Sequence, residues 1–212
     1  MGELGAPMAS PDRFPKYRLP VIADPSSDPN GKPTYIVESF NIALYLDERY
    51  PGPKHPIVFP EGTRILQKIA SDTLTNEIGF ALLQVINPLV AKPGFLDDRG
   101  RDYFCSTRES WFGDLGEIAK AEPEKWGEVR KKWDSFGPKF QLNQGAKEDG
   151  PFVMGNLASF TDFAIGGLIF WLRRAEGGDM PRWKEVAEWH GGRWARLWAA
   201  LEIIEQDSTR VD

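Results

Sequence analysis

The sequence predicts a mainly α fold of the α+β type, in which a short β-β-α unit precedes an all-α bundle. Three observations predict it. Two brief apolar runs, Leu19 to Ala23 and Tyr35 to Val37, flank a stretch dense in turn formers. An amphipathic stripe follows directly from Ser39, and from Thr63 onward apolar residues recur at helical spacing to the end of the chain. Hydrophobic residues make up 41% of the 212 and include 8 Trp and 13 Phe, which supplies a core and argues against disorder despite 17 Pro.

Residues 1 to 18 carry three Pro and two Gly without periodicity and read as loop. The run from Asp24 to Pro33 joins the two apolar segments into a hairpin. Ser39 is placed to cap a helix reaching Tyr50, with Ile42, Ala43, Leu46 and Tyr50 on one face and Pro51-Gly52 as its stop. This helix is expected to cover the hairpin.

Ile65, Leu66, Ile69 and Leu74 open a long helix expected to end at Asn87-Pro88. A second, from about Asp98, carries Tyr103, Phe104, Trp111, Phe112 and Leu115. Glu122-Pro123 starts a third, striped by Trp126, Val129, Trp133, Phe136 and Phe140, with Lys131 and Lys132 facing water. Gly150-Pro151 to Asn156 is a tight connector, followed by helices over 159–174, 181–189 and about 193–205. The division this predicts is a first domain over 1–52, a linker over 53–62 and an all-helical domain over 63–212.

Several function classes are disfavoured. A net charge of -5 offers no field for phosphates or an anionic membrane, so neither nucleic acid nor membrane is expected as partner. The longest apolar stretch, Phe163 to Leu172, is about half of the roughly 20 residues a bilayer requires. The first six residues show neither a signal peptide nor a myristoylation pattern, and the single Cys105 fits a reducing compartment, so the cytoplasm is the expected location.

His55 and His190 lack neighbours at metal-ligand spacing, so no metal site is predicted, and His190 reads as structural. Cys105 lies on a helical stripe and reads as a small buried apolar residue. Asn76, Phe80, Tyr103 and Trp111 either line an apolar ligand pocket or fill the bundle core, and core filling is the commoner use of such a pattern. No nucleotide-binding glycine motif and no serine-centred nucleophile elbow occurs.

Three local patterns carry a resemblance. Leu19-Pro20-Val21 opens a strand with proline; Glu38-Ser39 sits at the strand-to-helix turn before Ile42-Ala43-Leu44-Tyr45-Leu46-Asp47-Glu48-Arg49-Tyr50-Pro51; and Ser159-Phe160-Thr161-Asp162 forms a capping-box pattern before the most apolar helix. Together they resemble the glutathione transferase superfamily. The segment Trp189-His190-Gly191-Gly192-Arg193-Trp194 is similar to the end region of its fungal etherase-like class.

The resemblance implies a truncated thioredoxin-like β-β-α remnant followed by the family's C-terminal helical bundle. It implies glutathione as cosubstrate: Leu19 and Pro20, through a cis bond, would pair by backbone with the cysteinyl part, and Glu38 and Ser39 would hold the γ-glutamyl end. It also implies electrophilic or aromatic small-molecule ligands, a detoxifying activity and a homodimer. Family members open with a strand, a helix and a strand bearing the Ser, Cys or Tyr that stabilises the glutathione thiolate, and these are expected to be missing ahead of Leu4-Gly5-Ala6-Pro7. The catalytic residue is therefore unassigned, and little turnover is expected from this chain. The strand at Leu19 to Ala23 would be an exposed edge, with Leu19, Val21, Ile36 and Val37 packed under the first helix. A ligandin-like carrier of aromatic compounds and a non-catalytic interaction module remain alternatives.

Overall fold

The computed structural model describes residues 7–8, 18–26, 28, 30–145, 147 and 149–208. The loop expected over 1 to 18 lies almost wholly outside them, as does the segment from Leu4 to Ala6. The predicted class is found: a small antiparallel sheet and its helix, then helices. The chain divides into two compact units after Lys68.

In the first unit, β1 (Val21–Asp24) pairs antiparallel with β2 (Thr34–Val37), Val21 opposite Val37 and Asp24 opposite Thr34. The connection turns because Asp28 accepts from the Asn30 N–H through its side chain (3.0 Å) and from the Gly31 N–H through its carbonyl (2.8 Å). Helix α1 (Ser39–Arg49) packs on the hairpin, burying Ile42. Leu19 does not join this packing as expected; it is 78% exposed, because it precedes the first paired residue and so lies beyond the end of the ladder.

The expected linker is tied to α1. The Asp47 carboxylate accepts from the Val58 N–H (3.1 Å) and the Phe59 N–H (2.9 Å), and the buried Phe59 ring meets Phe40 edge-on at 5.0 Å. At the far end of the hairpin, Tyr45 and Tyr50 donate to the two oxygens of Asp24 at 2.7 and 2.8 Å. Their hydroxyls, and secondarily Arg49, hold the Asp24 carboxyl below the usual carboxylate range against a small opposing burial effect, while the bond to Asp24 pushes both phenols up.

The expected long helix is three pieces: α2 (Arg64–Leu74), a π-helical turn (Thr75–Gly79) and α3 (Phe80–Val90). Asn87-Pro88 does not end it, since the proline falls in the last turn, where losing one N–H leaves the helix only to Val90. Helix α4 (Asp98–Phe112) stops before Leu115 because Gly113 adopts φ 86; Asp114 then caps the short α5 (Leu115–Lys120), accepting from the Glu117 N–H at 2.8 Å. Helix α6 (Glu122–Phe140) starts with Pro123 in its first turn, as expected.

Ser159 caps α7 (Phe160–Glu176), and the predicted box forms. The fully buried Asp162 carboxylate takes the Ser159 N–H (2.9 Å) and hydroxyl (2.7 Å) on one oxygen and the Val153 N–H (2.7 Å) on the other. Burial pushes its pKa up, opposed by these bonds and by Arg193. Helix α8 (Pro181–Ser208) is broken over 189–192, where Trp189 is extended and His190, Gly191 and Gly192 take positive φ, so it runs as the two predicted helices. Trp133 and Trp194, both fully buried, meet at 5.5 Å at the centre of the bundle core. Among the described residues no helix is long and apolar enough to cross a membrane.

Candidate functional site

The hairpin register decides where the predicted ligand residues fall. Since Val21 opposes Val37, the chain before Val21 and the chain after Val37 leave the sheet at the same end. Leu19-Pro20 and Glu38-Ser39 are thereby brought to one edge of the first unit, where the peptide joining Leu19 to Pro20 is cis. Leu19, Glu38 and Ser39 are exposed.

Glu38 rather than Ser39 is the N-cap of α1, and Ser39 is the first helical residue. The reason is backbone: Glu38 has φ 70 and ψ 125, a conformation that lets its carbonyl accept from the Ile42 N–H at 2.9 Å while the chain turns sharply off the strand. No side chain caps this end. A helix start presents N–H groups without intrahelical acceptors and the positive end of the macrodipole, so the edge attracts a carboxylate. A non-glycine residue at positive φ stores about 1 to 3 kcal/mol of strain, which marks Glu38 as held in place for a purpose other than stability.

In the second unit the sequence candidates Asn76, Phe80, Tyr103 and Trp111 are all exposed, so they do not fill the core. Asn76 lies in the π-helical turn and Phe80 follows it, and such turns recur beside functional sites. Phe80 meets Phe112 at 5.5 Å. On α4, the Arg108 guanidinium lies 4.9 Å from the Phe104 ring and 4.9 Å from the Trp111 ring. Sequence reading passed over Arg108 and the role of Phe112, although Arg108 stands four residues after Phe104 and three before Trp111, a spacing that places all three on one helix face. Nothing in the sequence announces the π turn.

The other candidates have structural surroundings. His190 accepts from the Trp194 indole at Nδ1 (2.8 Å), which leaves the proton on Nε2 to donate to Asp134 (2.9 Å). Cys105 is half-buried on α4, and His55 stands edge-on to Tyr50 at 5.6 Å. Among the described residues no group of three His, Cys, Asp or Glu side chains could hold a metal ion.

Comparison with known proteins draws these features together. Residues 66–203 match the family model described as glutathione S-transferase, C-terminal domain. The chain is 32% identical over 215 residues to the glutathione S-transferase-like protein ustS of Aspergillus flavus, an alignment covering 95% of this chain and 72% of that protein. Among solved structures it is similar to glutathione transferase GSTFuA3 from Phanerochaete chrysosporium, with a TM-score of 0.81 and 29% identity over 100% of this chain and 79% of that one. It is also similar to the glutathione S-transferase CsGST63524 of Ceriporiopsis subvermispora in complex with glutathione, with a TM-score of 0.81 and 30% identity over 100% of this chain and 80% of that one. A matched helical domain, a relative alike along nearly the whole chain and a shared backbone lead to one conclusion: this chain belongs to the glutathione transferase superfamily.

Proposed function

We propose that the first unit binds glutathione at the edge formed by Leu19, Pro20, Glu38 and Ser39, and that the second unit binds an aromatic or electrophilic compound. The observation that carries this reading is the hairpin register, which sets a strand-opening proline beside the start of α1. There the Leu19 backbone can pair with the cysteinyl peptide as an added strand. The γ-glutamyl carboxylate meets the N–H groups and hydroxyl of Ser39, and the α-ammonium meets the Glu38 carboxylate. The CsGST63524 structure with glutathione supports the choice of ligand.

The exposed Phe80, Tyr103 and Trp111 support an aromatic ligand on the second unit. The etherase-like assignment is supported by the Trp189 to Trp194 segment. A homodimer is supported by Ile65, Leu66 and Ile69 of α2, which are 74%, 66% and 59% exposed and would be costly to leave in water; light scattering on the eluting peak tests it.

Retention on immobilised glutathione, release by free glutathione and turnover of a chlorinated nitrobenzene test the whole reading. Retention with turnover establishes a conjugating enzyme; retention without turnover leaves a glutathione-binding carrier. Failure to bind glutathione by calorimetry, in a chain shown to be folded by circular dichroism, ends the proposal for the first unit.

A further inference from the structure

Arginines stacked on aromatic rings recur in this chain, and most have an acid beside them. Arg49 has Asp24, Arg130 has Asp134, Arg173 has Glu202, and Arg182 has Glu122 and Glu176. Arg193 lies in the field of the buried Asp162. Arg108 differs. Among the described residues no carboxylate lies within ion-pairing distance of it, and the one charge-bearing neighbour that acts on it is the Tyr103 phenol, neutral at ordinary pH. Its hydrogen bond is a long one, from Nη1 to the Thr107 hydroxyl at 3.3 Å, so most of the five guanidinium N–H donors have no protein acceptor.

The group is also half-desolvated, which disfavours its charge. The Phe104 and Trp111 rings on either side compensate in part through their π faces. Trp111 and Tyr103, 49% and 55% exposed, leave an open aromatic surface around the cation. An uncompensated guanidinium set flat among rings, with its fork unused, is built to receive a planar acid: a carboxylate takes two N–H bonds while the attached ring lies against the aromatic face.

We propose that Arg108 is a specificity-determining residue that makes the aromatic face of the second unit select ligands carrying an anionic group, namely aromatic carboxylates and phenolates. This inference rests on the reading that Phe80, Tyr103 and Trp111 form the aromatic-ligand surface. It assigns that surface a charge preference opposite to the one the net charge of -5 would give the whole chain.

Calorimetry with 2-naphthoate and 2-naphthamide, a pair alike in shape and differing in charge, tests it on the full chain. The native protein binds the acid about ten times more tightly than the amide, the return expected from a charge-assisted bidentate contact. Arg108→Met, which keeps the length and packing of the stem, brings the ratio close to one by weakening the acid alone. Arg108→Lys keeps the charge but loses the planar fork, and retains part of the preference. A Lys139→Met variant, which removes a cation stacked on Phe136, leaves the ratio unchanged. Equal affinities for acid and amide in the native protein overturn the role of Arg108 while the aromatic-surface reading stands. Binding of neither probe removes that reading and this inference with it. If Arg108→Met does not fold, the native ratio and the Arg108→Lys variant decide the matter.

Discussion

Asp162 reaches back nine residues to accept the Val153 N–H at 2.7 Å, so the residue that closes the cap of α7 also fixes the connector leading into it. Its other oxygen is filled by Ser159. Removing the carboxylate strands two buried N–H groups and a hydroxyl at once. We expect Asp162→Ala to cost about 3 kcal/mol, which is roughly 6 to 12 °C in melting temperature for a chain of this size, and Ser159→Ala to cost about 1 kcal/mol. Thermal melts followed by circular dichroism check both; near-equal losses would deny Asp162 its second role.

Two glycines of α6 predict opposite signs. A Cβ on Gly137 would lie 2.4 Å from the His190 ring, which cannot swing away without breaking its bonds to Trp194 and Asp134. A Cβ on Gly127 would meet nothing within 4 Å. Denaturant titration is expected to show Gly137→Ala less stable by about 1 to 3 kcal/mol and Gly127→Ala more stable by about 0.5 to 1 kcal/mol.

The hairpin and α1 are joined through a carboxylate whose folded pKa is depressed, chiefly by the Tyr45 hydroxyl and then by that of Tyr50. A lowered acid stabilises the fold fully above its unfolded pKa, about 3.9, and loses that contribution as the pH falls through the lower folded value. The first unit is therefore expected to loosen selectively below about pH 4. Carboxyl carbon shifts on titration should place Asp24 below the usual aspartate range, and Tyr45→Phe should raise it more than Tyr50→Phe.

Strain at Glu38 separates stability from binding. Replacing it with glycine relieves a positive φ and is expected to raise stability by about 1 kcal/mol, yet the same change removes the partner proposed for the α-ammonium. Glutathione affinity should fall about tenfold, as it should in Ser39→Ala, whereas Leu19→Ala, which keeps the backbone, should change it little. Denaturation paired with calorimetry reads the two quantities on one sample; a variant that loses stability as well as affinity would mean the strain is not the cost it is taken to be.

Much of this organisation was readable from residues because it is local. The acid in Ser159 to Asp162, Pro123 after Glu122, and the paired glycines at 191 and 192 each act within a turn of where they stand, and each element began or broke there. Errors arose where a local rule met a longer constraint. Ser39 looked like a cap, but the sharp exit from β2 hands that position to Glu38. Leu115 keeps the apolar phase of α4, which hid the break at Gly113. The joining of Asp24 to Tyr45 and Tyr50 spans more than twenty residues, and no spacing rule connects them. For the candidate site, the four hairpin-edge positions could be named in advance, while the exposure of Phe80 and Trp111 and the isolation of Arg108 required knowing which side of each helix faces the bundle.

The turn from Thr75 to Gly79 winds more residues into one revolution than its neighbours do. It works as a phase slip: everything after it is set back by one position, about 100° around the axis, relative to a regular continuation of α2. Phe80 owes its outward direction to that offset. Substitutions here should be absorbed, but loss of a single residue would restore a regular ladder and rotate the buried row of Leu82, Val85 and Ile86 out of register with the bundle. Length, more than chemistry, is what this short segment has to preserve.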